Sequence, residues 1–269
     1  MEAAGLGIFM ISAGIFTTLF EYPGSTVNHV IASAFVRRSF IGLAMGVTAT
    51  ALIYSAWGQQ SGAHYNPAVT LTFLRLGKVR PWDAFFYVGA QFLGGWMGVL
   101  LVAAILRERF QQPPVSYAAT VPGAHGVAAA FLAEGLISFG MMSAILTVSN
   151  TKKAARYTGF FAGLLVFGFI TIEAPFSGMS MNPARSMASA APARDWANLW
   201  IYFTAPVLGM LLAADATRLV RGASSVFCAK LNHENSRRCI FCDSRNLPLL
   251  FVFGAITVLS GTRGFDGGC

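Results

Sequence analysis

Ser61-Gly62-Ala63-His64-Tyr65-Asn66-Pro67-Ala68-Val69-Thr70 and Ser177-Gly178-Met179-Ser180-Met181-Asn182-Pro183-Ala184-Arg185-Ser186 decide how this chain is read. In each, a run of small and polar residues gives way to Asn-Pro-Ala and then to a short apolar segment, about 66–74 and 182–191. Asparagine is a good helix N-cap. Proline suits the first helical position, where a backbone N–H would have no helical partner anyway. Asn66-Pro67-Ala68 and Asn182-Pro183-Ala184 therefore each mark a helix start. Neither helix is long enough to cross a bilayer, which takes about 20 apolar residues. One copy alone would be no more than a helix cap; two copies in matching places need a further explanation.

The surroundings are those of a membrane protein. Of 269 residues, 55% are hydrophobic and 11% charged, against roughly 25% charged in soluble domains. A chain so poor in charge cannot cover a soluble surface. A soluble enzyme, a disordered chain and a disulfide-rich secreted domain are excluded on that ground. Six stretches near 3–21, 39–57, 82–106, 126–148, 157–174 and 196–219 are apolar enough and long enough to span. The run from Gly5 to Phe20 lacks a basic flank and a cleavage site, so it reads as a span rather than a signal peptide. So little precedes it that a very short N-terminus or a missing start is expected.

Three spans, with a short segment after the second, occur twice in the same order, over about 1–115 and 126–220. Both repeats open with a carboxylate before glycine, in Glu2-Ala3-Ala4-Gly5 and Glu134-Gly135. An odd number of spans per repeat inverts one repeat relative to the other. The expected fold is an all-α membrane protein of six transmembrane helices and two re-entrant half-helices. It forms one channel domain over 1–220, followed by a basic, cysteine-bearing tail over 221–269.

The net charge of +8 sits between the spans rather than on a nucleic-acid-binding helix. The richer groups are Arg75, Lys78 and Arg80; Lys152, Lys153 and Arg156; and the tail, with Arg218, Arg221, Lys230, Arg237, Arg238 and Arg245. The positive-inside rule places these on the cytoplasmic side and leaves Arg37, Arg38, Arg107, Arg109 and Arg194 in exoplasmic loops. No nucleic-acid partner is expected; the lipid bilayer is. Cytoplasmic Cys228, Cys239, Cys242 and Cys269 should be reduced.

Inversion brings the two half-helix N-termini together near the bilayer centre, where both dipoles present their positive ends. Asn66 and Asn182 can each aim a side-chain NH2 into a lumen. The carbonyls of Gly62, Ala63, His64 and Tyr65, and of Gly178, Met179 and Ser180, can form an acceptor ladder on either side. Such a path favours a neutral hydrogen-bonding molecule and repels cations. Arg185, directly after the second tripeptide, adds donors and a positive charge; an arginine at that depth is a functional residue.

With both motifs, the six-span layout and Ala90-Gln91 in the third span, residues 1–220 resemble the aquaporin family of water and glycerol channels. The resemblance implies a homotetramer with one pore per subunit, in the plasma membrane, conducting water and small uncharged solutes without a cofactor, a metal or an enzymatic activity. It places Asn66 and Asn182 at the central constriction and Arg185 in an exoplasmic selectivity filter. It also gives Glu2 and Glu134 the structural task of accepting the pore-loop N–H groups. Counting from each asparagine, the other filter positions are Gly46, Ile170 and Met179; an offset of one residue replaces Gly46 by Met45. Neither version supplies the Phe–His pair of the water channels, so an apolar, wider filter is expected. Ser186, Ala190 and the pair Tyr202-Phe203 are as in water channels. Water is the expected permeant. The alternative is a channel for glycerol, ammonia or hydrogen peroxide with low water selectivity.

A secondary transporter shares the inverted repeat, but no Asp, Glu or Lys lies at the centre of a predicted span to couple an ion. Neither a nucleophile–base set nor a ligand cluster marks an enzyme within the spans. Glu173 is expected to bind the second pore loop's N–H groups or to line the vestibule. In the tail, Cys228, His233, Cys239 and Cys242 offer four zinc-ligand types, but at an unfamiliar spacing, so reduced thiols in a solvated tail are expected. Residues 247–260 are apolar yet short, and read as a docked segment rather than a seventh span.

Overall fold

The computed structural model describes residues 1–241 apart from Arg238; the segment 247–260, Cys242, Arg245 and Cys269 lie outside the described residues. All regular structure among the described residues is helical. Six helices are long and apolar enough to cross a membrane: α1 (Glu2–Glu21), α2 (Ala34–Tyr54), α4 (Pro81–Leu106), α5 (Gly126–Ser149), α6 (Thr158–Ile172, which spans together with the turn before it as Ala155–Ile172) and α8 (Leu199–Arg221). The half-helices are α3 (Pro67–Arg75) and α7 (Pro183–Ala193).

The second span starts earlier than its hydropathy predicts. Ser33 caps it, its Oγ accepting from Val36 N at 3.4 Å. Arg37 is brought inside the helix by an ion pair with Glu21 at 3.1 Å and by bonds to the carbonyls of Ile31 and Ala32. Paired in this way, the arginine no longer has to end the helix. The span also stops sooner, at Tyr54, because Ser55 caps a separate short helix, Ala56–Ser61.

Helices pack most extensively as α1 on α4, α5 on α8 and α2 on α6. The first two pairs are equivalent elements of the two repeats, and the third joins the repeats. α3 packs against α8 and α7 against α4, so each half-helix leans on a span of the other repeat. Lipid tails supply no hydrophobic drive between helices, and small residues at the crossings let backbones approach. A Cβ on Gly98 would lie 2.5 Å from Gly7 O, and one on Gly46 would lie 2.5 Å from Gly163 O.

The Gly46 crossing takes that residue out of the cavity wall. Gly46 is a helix-contact residue and does not line the lumen; Met45, its neighbour, does. Counting back from Asn66 therefore lands one residue past the lining position. Gly46→Phe is therefore expected to destabilise the fold by about 3 kcal/mol or more, at the upper end of overpacking costs. Thermal unfolding in detergent measures this, and wild-type stability would refute the crossing.

The outer face is apolar, with Trp82, Phe85, Phe86, Leu132, Leu136 and Leu212 all exposed, as a lipid-facing surface requires. The tail is not solvated as expected. Val226, Ala229, Lys230 and Leu231 are buried, and the segment folds back against the first pore loop, with Leu231 N donating to Gly62 O at 3.1 Å.

Candidate functional site

The two pore loops share one backbone conformation. Positive φ occurs at Gly62 (94°), Ala63 (58°) and Tyr65 (47°), and again at Gly178 (81°), Met179 (51°) and Met181 (53°). Non-glycine residues there cost roughly 1–3 kcal/mol each and persist only when their surroundings hold them. The holding groups are the two carboxylates. Glu2 Oε1 accepts from Ser61 Oγ (2.7 Å) and His64 N (3.3 Å), and Oε2 accepts from Tyr65 N (2.6 Å) and Gln91 Nε2 (2.7 Å). Glu134 Oε1 accepts from Ser177 Oγ (2.6 Å) and Ser180 N (2.7 Å), and Oε2 from Met181 N (2.7 Å). Serine, third residue and fourth residue are matched in both loops, as an inverted repeat requires.

Both loops then end on their asparagines. Asn66 Oδ1 accepts from Ala68 N at 2.8 Å, and Asn182 Oδ1 accepts from Ala184 N and Arg185 N at 3.1 and 3.2 Å. This is N-capping at the start of each half-helix. The amide nitrogens cross over: Asn66 Nδ2 donates to Met181 O at 2.7 Å and Asn182 Nδ2 to Tyr65 O at 2.9 Å. An NH2 has two hydrogens. One on each asparagine is committed to the opposite loop, which fixes the amide plane and directs the other.

A cavity of about 510 Å³ runs between these groups. Asn66, Asn182, Met45, Ile170, Met179 and Arg185 line it, as do Ala63, His64, Tyr65, Gly178 and Ser180. Gly62 does not line it; its carbonyl is taken by the tail, so it leaves the expected ladder. Arg185 Nη1 is buried with no hydrogen-bond partner among the described residues. Toward one end the lining includes Glu21 and Arg38; toward the other it includes Leu52, Ile53 and Leu231.

Several supports were not assigned from sequence. Tyr87 Oη donates to Ser61 O at 2.7 Å, and Tyr202 Oη to Ser177 O at 2.6 Å. These tyrosines are repeat equivalents, a relation visible only once α4 and α8 are superposed in thought. His64 was expected to matter through its carbonyl. Its ring is also engaged, with Nε2 on Ala229 O at 2.7 Å and Nδ1 on Thr70 Oγ1 at 3.1 Å. It stacks between Phe73 and Phe241 at 5.1 and 5.6 Å. Glu173 does neither thing expected of it: both carboxylate oxygens are buried without a hydrogen-bond partner among the described residues, and it is not in the cavity wall. It caps the end of α6, and the second loop's N–H groups are held by Glu134 instead.

Comparison with known proteins agrees with this geometry. The family model for the major intrinsic proteins matches residues 5–216. The chain is 34% identical over 210 residues to a putative aquaporin NIP4-1 of Arabidopsis thaliana, covering 77% of this chain and 72% of that one. It is 35% identical over 233 residues to an aquaporin NIP2-3 of Zea mays, covering 84% and 73%. Its fold is similar to the X-ray structure of the aquaglyceroporin from Plasmodium falciparum, with a TM-score of 0.66 at 19% identity over 81% of this chain and 93% of that one. A matched pair of Asn-Pro-Ala half-helices, mirrored carboxylate braces and this breadth of likeness place the chain in the major intrinsic protein family.

Proposed function

We propose that the chain is a passive channel for water, and for small uncharged solutes, with no enzymatic step. The observation that carries this is the crossed pair of amides. Each asparagine spends its carbonyl on its own half-helix and one hydrogen on the opposite loop, and so keeps one donor for the lumen. A water held by two such donors must turn its own hydrogens outward, which interrupts a proton-conducting chain at that point. The filter residues proposed are Met45, Ile170, Met179 and Arg185. Three apolar side chains beside one guanidinium favour a second permeant class, small neutral solutes such as glycerol, ammonia or hydrogen peroxide. Names of relatives, aquaporin and aquaglyceroporin, point to the same two classes. A homotetramer in the plasma membrane, with the tail cytoplasmic, completes the reading.

Stopped-flow light scattering of proteoliposomes, water against glycerol, tests it. Water permeability far above protein-free vesicles is expected; equality with them would overturn the channel. Replacing Met45 by Phe together with Ile170 by His should narrow the filter and add a polar partner. Glycerol flux is expected to fall about tenfold, the effect of roughly 1.4 kcal/mol on a barrier, with water flux nearly kept. Equal loss of both would show that these positions do not form the filter.

A further inference from the structure

We propose that Cys228, His233 and Cys239 form a zinc-type metal site that pins the tail in the cytoplasmic mouth of the pore, so that metal loading lowers conductance. The ligand atoms of the three residues all lie within 4.8 Å of one another, and the two sulfurs are 3.4 Å apart. Two sulfurs on one tetrahedral zinc, with Zn–S near 2.3 Å, stand about 3.8 Å apart. The set therefore needs only small adjustment to close on an ion. Two thiolates and an imidazole suit zinc and exclude the hard cations, which take oxygen ligands. By sequence, Cys242 follows Cys239 at the spacing of a Cys-x-x-Cys pair, although it lies outside the described residues.

What the site would hold is specific. Ala229, Lys230, Leu231 and Asn232 are the residues between two of the ligands, and all are buried. Ala229 O meets His64 Nε2, Leu231 N donates to Gly62 O, and Leu231 forms part of the cavity wall beside Leu52 and Ile53. This four-residue loop thus touches the first pore loop at the two residues flanking Ala63. Cross-linking its ends through a metal removes the freedom that the chain would regain on leaving the mouth. Loading displaces the thiol protons, which pass to solvent, and involves no oxidant. The conductance part rests on the channel reading above; the metal part does not.

Full-length protein is purified in detergent under reducing conditions, then zinc is measured per chain. Cobalt(II) is added to chelated protein as a spectroscopic probe. One zinc per chain and the visible bands of tetrahedral, thiolate-bound cobalt are expected, both lost in a Cys228→Ser/Cys239→Ser variant. Zinc-free wild type, retention of zinc by the variant, or an intact-mass shift showing a Cys228–Cys239 disulfide in its place would overturn the site. Zinc-loaded and chelated protein are then reconstituted in parallel. Zinc-loaded vesicles should pass water about tenfold more slowly, as for a ligand that prefers one arrangement by that factor. Equal rates, in protein whose truncation after Gly222 conducts, would overturn the pinning. A truncated chain that conducts nothing would instead indict the channel reading, while the zinc and cobalt results would stand.

Discussion

Glu134→Ala is expected to abolish conduction and to leave a protein that unfolds at markedly lower temperature. The carboxylate is fully buried and accepts from Ser177 Oγ, Ser180 N and Met181 N. Removing it takes the acceptor from two backbone N–H groups in a buried site. An unsatisfied buried group costs about 1–3 kcal/mol, and bonds to charged acceptors sit at the upper end. Two such groups, together with the left-handed Met179 and Met181 that lose their restraint, amount to several kcal/mol. Met181 O is also the acceptor for Asn66 Nδ2, so the opposite asparagine loses its orientation. Glu134→Gln separates shape from charge. It keeps one oxygen but presents an NH2 to a second donor, so an intermediate loss is expected. Glu2→Ala should behave like Glu134→Ala, with Gln91 Nε2 left only its longer bond to Thr70 Oγ1 at 3.1 Å. Size-exclusion profiles, melting in detergent and vesicle flux check these outcomes. Wild-type flux from Glu134→Ala would mean that the loop is held some other way.

The legible parts of the fold follow from local chemistry. A run of apolar residues must span, an Asn-Pro pair must start a helix, and an odd number of spans must invert a repeat. Each of these is written within a few adjacent residues. Contacts between distant segments are not. Gly46 and Gly163 are far apart in sequence, and no composition reveals that one backbone rests on the other. The same holds for His64 and Ala229. The tail misled for a related reason. Its Lys, Arg and Asn content resembles a solvated segment, yet burial of Lys230 and Leu231 is decided by the surface they meet. Arg37 misled in reverse: a charge appeared to end the helix, but Glu21 lay one helix away to receive it. Sequence patterns report what a segment needs, and only the partner determines whether the need is met in water or in protein.

Arg185→Ala is expected to widen selectivity in two separable ways. Arg185 lines the cavity, so the guanidinium nitrogens that face it can offer a donor to whatever passes. Its backbone N–H is already spent on Asn182 Oδ1 at 3.2 Å, and that bond survives the substitution. The half-helix start should therefore persist and the change should fall on the lumen. Removing the side chain enlarges the opening between Met45, Ile170 and Met179, and glycerol flux should rise relative to water. Removing the charge lowers the barrier to cations. A unit charge about 6 Å away at an effective dielectric near 20 opposes a cation by about 3 kcal/mol, roughly a hundredfold in rate. The positive ends of α3 and α7 still face the lumen, so protons and sodium should leak without flowing freely. Arg185→Lys distinguishes the two effects, since it keeps the charge and loses the planar fork. Cation exclusion should hold in that variant while solute discrimination weakens. Ion-sensitive dye uptake, measured beside glycerol swelling in the same vesicles, reads both. If Arg185→Ala leaves the glycerol-to-water ratio and the cation leak at their wild-type values, the arginine is a bystander to selection, and the filter has to be sought nearer Glu21 and Arg38 at that end of the cavity.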